Sequence, residues 1–300
     1  MISIAQLWIP FVVLASSGQV ARNAMQRGLT ASLGTVGATH IRFLFGFPFS
    51  LIFLGIVLAA THDALPTPVT AFWPWLVLGA GTQILGTALM LAAMNLRSFV
   101  VATAYTKTEP IQAAVFGFVF LADQLTLLKT IAIVIATAGV VTTAIKPGGE
   151  KGFGDLKPTL LGLAAAAGFA LSSVGYRGAI LTISGVSFVT ASSFTLVLGL
   201  FLQTVTLTSY LLLFDRKTLF AIFRMWKPSM FAGFMGAFAS QFWFLAFALT
   251  AVANVRTLAL IEVLFAQAIS HYSFKQRATV QEIAGIVLIV VGVGLLVAVQ

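Results

Sequence analysis

The sequence predicts an all-α integral membrane fold of ten transmembrane helices in two inverted five-helix repeats. Three observations carry this. First, 59% of the 300 residues are hydrophobic and only 8% are charged, against about 25% charged in a soluble domain, so the outer surface must face lipid. Second, apolar stretches near the 20 or so residues that cross a bilayer recur at 4–24, 36–60, 72–94, 99–121, 127–145, 158–181, 187–213, 228–250, 252–273 and 279–299. Third, KPGGEKGFGDLKP at 146–158 combines Pro, paired Gly and mixed charge, the mark of a connecting loop. It separates a first half, 1–145, from a second, 158–300, each with five spans.

Each element has its own justification. Residues 4–21 end in small residues like a signal peptide but lack a basic leader, so they read as a retained first span. Pro66 and Pro68 mark the second join and Lys275 to Arg277 the ninth. A shift of 153 residues lays Ala93 on Ala246, Glu109 on Glu262, Ala113 on Ala266, Thr126 on Thr279 and Gly139 on Gly292. A shift of 150 lays Arg27-Gly28 on Arg177-Gly178. Identities between apolar helices come cheaply, but one mid-membrane Glu falling on another does not. Five spans is an odd number, so the second half enters the membrane from the opposite side. Inverted repeats of this kind underlie many secondary transporters.

Charge and composition exclude several classes. A net charge of +9 would suggest a nucleic-acid partner in a soluble protein. Here no basic run is interleaved with aromatics, and no nucleic-acid partner is expected. The basic residues set topology and meet anionic membrane lipid instead. There is no Cys, hence no thiol chemistry. HExxH, GxSxG and phosphate-cradling loops are missing from the sequence, so no enzyme, cofactor or metal is expected, and any pumping must be secondary. Loops after spans 1, 3, 5, 7 and 9 carry Arg22, Arg27, Arg97, Lys146, Lys151, Lys157, Arg216, Lys217, Arg224, Lys227, Lys275 and Arg277, against Lys129, Arg177 and Arg256 on the other side. The positive-inside rule then makes the 146–157 loop cytoplasmic and puts both termini outside.

The candidate site begins with the intramembrane ionisable residues, which are costly and functional by default. Glu109 lies about ten residues into the fourth span and Glu262 about ten into the ninth. Around a pseudo-two-fold axis the two carboxylates would face each other and could not both stay ionised, giving a proton-binding pair. Alternatively each Glu pairs with a basic neighbour and locks helices together. Tyr105, Glu109 and Gln112 share a helical face, while Lys107 points about 200° from Glu109 and would reach a neighbouring helix. Arg42 either enters the cavity or snorkels to the interface. Gln83 and Gln241, mid-span in helices 3 and 8, either line the cavity or bind across helices. Trp243 is read as facing lipid or stacking on a substrate. Gln267 and His271 share a face of span 9, with His271 near its interfacial end. The small residues from Ala164 to Gly168 and from Ala232 to Ala239 mark close helix contacts.

Two stretches carry a family likeness. AYTKTEPIQAAVFGFVFLADQLTLLKTIAIVIATAGVV at 104–141 places Pro110, LADQLT at 121–126 and Gly139 in a helix, turn, helix frame. IEVLFAQAISHYSFKQRATVQEIAGIVLIVVGVGLLV at 261–297 ends in the Gly285 and Gly292 helix. The chain resembles the drug/metabolite transporter superfamily, specifically its EamA-type exporters, which often carry an Arg at the position of Arg42. Asp123 and Lys275-Gln276 stand where the family's turns have Glu, and Val263 where the second central Pro would be. The resemblance implies both termini in the cytoplasm, opposite to the basic-loop count. The substrate is read from the residues instead: a mixed polar cavity with acids, a nearby base and amides suits a zwitterion such as an amino acid, or a polar organic solute. It would be exported by alternating access of the two halves with the Glu pair as the proton site, in a bacterial inner membrane, by a monomer or homodimer. The other readings are a cation or drug exporter, an enzyme acting on lipid-linked substrate, and a non-transporting scaffold.

Overall fold

The computed structural model describes residues 4–96, 105–144, 156–265 and 279–299, and among these the regular structure is all helix. After a short 3-10 turn at Ile4–Gln6 come α1 (Trp8–Leu44), α2 (Gly46–Thr61), α3 (Phe72–Leu96), α4 (Glu109–Leu121), α5 (Leu127–Ala144) and α6 (Leu156–Leu181). Then follow α7 (Phe188–Phe214), α8 (Arg216–Arg224), α9 (Trp226–Leu249), α10 (Val252–Leu258) and α11 (Val280–Ala298). Among the described residues, five stretches are long and apolar enough to cross a membrane: Ser32–Thr61, Lys157–Leu181, Phe188–Phe214, Trp226–Leu249 and Val280–Ala298. Glu109–Leu121 and Leu127–Thr143 are shorter apolar helices. In lipid only helices satisfy their own backbone groups, so the chain is a multi-pass integral membrane protein.

Three local features depart from the sequence reading. The expected loop near 25–35 is helical, and α1 is interrupted only at Gly34, with φ 65° and ψ −176°. That conformation is essentially confined to Gly. Next, a separate helix, α8, occupies what reads as a basic loop. Finally, the fourth and ninth spans are broken. Lys107 and Thr108 form a turn before α4, and Ala259–Ile261 form a 3-10 turn after α10. The first break has a clear cause: Pro110 has no N–H, and its ring would strike the carbonyl four residues back in a continuous helix. Pro is at home in a first turn, where it sits in α4. The second break has neither Pro nor Gly to explain it. The two breaks nonetheless correspond, because the 153-residue shift carries Thr106 to Ala259 and Glu109 to Glu262.

The chain forms two compact units, each drawing on both sequence halves: residues 1–84 with 175–250, and residues 85–174 with 251–300. The first unit packs through aromatic rings and leucines. Phe234 of α9 lies edge-on to Phe49 and Phe53 of α2, at centroid separations of 5.2 and 6.3 Å. Phe242 meets Phe11 of α1 at 5.9 Å. Leu29, Leu33, Ile41, Leu211, Leu219 and Ile222 form its buried apolar cluster.

The second unit packs backbone on backbone where α5 meets α11. A Cβ on Gly139 would lie 2.7 Å from the Gly285 carbonyl oxygen and 2.7 Å from the Ile289 nitrogen. One on Gly292 would lie 2.8 Å from the Ala132 oxygen and 2.5 Å from the Ala136 nitrogen. The shift of 153 exchanges these two contacts, carrying Gly139 to Gly292, Ala132 to Gly285 and Ala136 to Ile289. Helix starts match as well. The Thr126 hydroxyl accepts from the Lys129 N–H at 3.3 Å, and Thr279 accepts from Glu282 at 3.2 Å. Small residues allow this close approach, and dispersion rather than a hydrophobic force holds helices together in lipid.

Candidate functional site

Four charged side chains gather in the second unit, at the two helix breaks. The Lys107 ammonium pairs with the Glu262 carboxylate. Arg256 Nε lies 2.9 Å from Glu109 Oε1, and the same guanidinium donates to Ser173 Oγ at 3.0 and 2.6 Å. Lys107 also interacts electrostatically with Glu109 and Arg256, so two acids and two bases form one neutral network. Glu109 is in the first turn of α4, where the helix dipole favours a carboxylate. The side chains of the four keep between 10 and 19% exposure.

This geometry changes the expectation in two ways. The carboxylates are not an unneutralised pair, because each has its own cation. In addition, the 200° separation of Lys107 from Glu109 holds for a continuous helix, whereas the turn at Lys107–Thr108 lets both side chains join one network. Tyr105 and Gln112 are turned elsewhere, toward α6. The Tyr105 hydroxyl accepts from Thr159 at 2.8 Å. Gln112 Nε2 donates to Thr108 Oγ1 at 3.2 Å and to the Leu163 carbonyl at 3.3 Å.

The remaining candidates belong to the first unit. Gln83 Oε1 accepts from Gln203 Nε2 at 2.7 Å and from the Tyr176 hydroxyl at 3.3 Å. Gln241 donates to Ser193 Oγ at 2.7 Å. Trp243, read as facing lipid or substrate, is buried and lies nearly parallel to Phe247. Arg42 is half-buried with its guanidinium 5.3 Å from the Phe43 ring centroid. A Cβ on Gly236 would approach both Arg42 Cγ, at 3.1 Å, and Arg22 Cδ, at 3.5 Å. Arg22 is therefore an internal cation and not a loop charge. Gln267, His271 and Lys275 to Arg277 fall outside the described residues, as does most of the 146–157 loop.

Outside the spans, Asp63 follows α2 and holds the start of α7. Its carboxylate accepts from the Ser187 hydroxyl at 2.6 Å, the Thr190 hydroxyl at 2.6 Å and the Ser187 N–H at 3.0 Å. These donors, led by the Ser187 hydroxyl, hold its pKa down to about 2.

Residues 6–145 match the model of the EamA-like transporter family. The match covers just under half of the chain, and it is what this part of the chain is similar to. Members of that family are membrane transporters of the drug/metabolite transporter superfamily. A crystal structure of a protein 16% identical superposes with a TM-score of 0.72, over 99% of this chain and 96% of that one; at this identity it speaks for the fold alone. No curated protein matches. The EamA-like segment contains Lys107 and Glu109, while their partners Glu262 and Arg256 lie beyond it.

Sequence reasoning missed Arg256, Ser173, Gln203 and Tyr176. Arg256 is four residues past the start of α10 and was counted with the loops, although it is charged and lies inside an apolar run. Gln203 was open to the amide argument that selected Gln83, since it too sits mid-span.

Proposed function

We propose that the chain is a secondary transporter with ten spans in two inverted five-helix repeats, 1–145 and 158–300, which exports a small zwitterionic metabolite of the amino-acid type by alternating access. The observation that carries this reading is the neutral network Lys107, Glu109, Arg256 and Glu262 at two helix breaks related by the 153-residue shift. Broken helices at a repeat interface are where secondary transporters bind substrate. The matched glycine contacts of α5 and α11 and the matched threonine caps support the repeat.

A zwitterion suits this network because it can replace a protein charge at each pair. Its ammonium would take Lys107's or Arg256's place on a carboxylate, and its carboxylate would take a cation. A neutral network favours this over a bare cation, which would leave a surplus positive charge. Proton coupling follows from the same pairs. Protonating Glu109 or Glu262 releases its cation to the substrate's carboxylate, and deprotonation restores the pair and expels the substrate. The membrane is taken as a bacterial inner membrane, with the 146–157 loop cytoplasmic. The test is uptake of a labelled amino-acid panel into proteoliposomes at imposed pH gradients, with Glu109→Gln and Glu262→Gln alongside. Gradient-driven flux of a zwitterion that both variants abolish while remaining folded is the expected result. Flux with unchanged pH dependence in the variants would overturn the assignment.

A further inference from the structure

The segment that follows α7 has a composition the transport site does not use. Asp215 caps α8, its carboxylate accepting from the Thr218 hydroxyl at 2.6 Å and the Thr218 N–H at 3.2 Å. The only acid of the segment is thereby engaged at the helix start, and these donors, the hydroxyl first, hold its pKa low. One face of α8 is fixed in the protein: Leu219 and Ile222 are buried in the cluster with Leu29, Leu33 and Ile41. The other face is exposed. Phe220 and Phe223 are 64% and 52% exposed, and at about 100° per residue they share a sector of about 120° with Arg216, Lys217 and Arg224. Just beyond the helix, Trp226 is 51% exposed, with the Lys227 ammonium 5.8 Å from its ring centroid.

Two large rings among three cations do not suit water and do not suit hydrocarbon. They suit the boundary between, where rings enter the acyl region and long basic side chains reach the phosphates. The inner face, already buried, holds the helix to the protein so that the outer face is presented as a unit. Four exposed cations against a single acid, Asp215, which is engaged by Thr218, favour anionic over zwitterionic headgroups.

We propose that α8 and the adjoining Trp226 and Lys227 form a binding surface for the headgroups of anionic phospholipids. The test uses the whole protein in bilayers containing either brominated phosphatidylglycerol or brominated phosphatidylcholine at equal mole fraction, the remainder being the other lipid unlabelled. Trp226 emission is the difference between wild type and Trp226→Phe. The expected result is that brominated phosphatidylglycerol quenches about twofold or more strongly, by local enrichment, and that the excess fades as salt rises. Equal quenching by both lipids would overturn the proposal. So would the absence of quenching by either, which would place α8 off the bilayer and leave its charged face for an acidic protein partner. The decision rests on wild type and one exposed aromatic change. Arg216→Gln with Lys217→Gln and Arg224→Gln then maps the cations and should remove the excess.

Discussion

The two units arrange their buried polar groups differently. In the unit formed by 85–174 and 251–300, acids and bases meet at interrupted helices and join in a network that partners on a ligand could replace. In the unit formed by 1–84 and 175–250, Arg177 is tied to backbone carbonyls, and the spans carry amides and hydroxyls closed on one another: Gln83 with Gln203 and Tyr176, Gln241 with Ser193. Neutral hydrogen bonds of this sort hold a helix pair in register and offer little to a passing solute. Opposite charges that each need a counter-charge are different, because a ligand carrying both signs can substitute for either. The contrast teaches where to look for chemistry in an apolar chain.

The comparison breaks most directly at Arg256. Arg256→Gln leaves Glu109 without its closest cation, and removing one partner of a buried pair costs about 3–5 kcal/mol. The double change Arg256→Gln with Glu109→Gln should recover much of that stability while transport stays absent. Thermal unfolding in detergent with uptake on the same preparations checks both. If the double change is no more stable than the single, the pair is not coupled.

Packing gives the next largest effect. Gly292→Leu drives a side chain into the backbone of Ala136, an overpacking cost of about 1–3 kcal/mol. Gly294→Leu, two residues on and with nothing near its Cβ position, should stay within about 0.5 kcal/mol of wild type. Equal melting temperatures for the two variants would refute the close approach of α5 and α11.

A smaller effect is expected in the other unit. Gln203→Leu removes a hydrogen bond to Gln83, and such bonds between membrane helices are worth about 0.6 kcal/mol on average. Transport per folded molecule should be retained. A loss like that of Arg256→Gln would move the functional site into this unit.

Part of this was legible in the sequence because lipid imposes simple rules. A backbone that must satisfy itself makes each apolar run a helix, and the runs and helices coincide over most of the described chain. The 153-residue shift was legible because Glu109, Thr126 and Gly139 do jobs that few residues can do. The ion pairing was not, since periodicity assumes a continuous helix, and the turn at Lys107–Thr108 re-aims the side chains on either side. Gly34 and α8 were hidden for a related reason: the polar residues Arg22, Asn23, Gln26 and Arg27 look like a loop, and so does DRKTLFAIFRMWKP at 215–228. Only the structure shows that 22–27 and 216–224 are helical.

The smallest effect concerns Asp63, outside the spans. Its pKa is lower in the folded protein, so its contribution is complete above the ordinary value of 3.8 and is lost as pH falls toward about 2. Asp63→Asn should lower stability near neutrality, where the contribution is complete, and flatten the stability profile across that window. Melting temperatures of wild type and variant between pH 5 and 2, as the stated pKa values require, provide the check, and parallel curves would count against the hydroxyl cradle.

Arg177 has a mechanical consequence. Its guanidinium, on α6, donates to the carbonyls of Phe247 and Thr250 where α9 ends. Hydrogen bonds from a charged donor are worth about 1.5–3 kcal/mol each, so sliding α9 past this end of α6 must break two strong tethers at once. The two helix ends are thus clamped into one lever. Whatever bending the proposed transport cycle demands of these helices has to occur away from the clamp, and a force on α9 at this end acts on α6 as well.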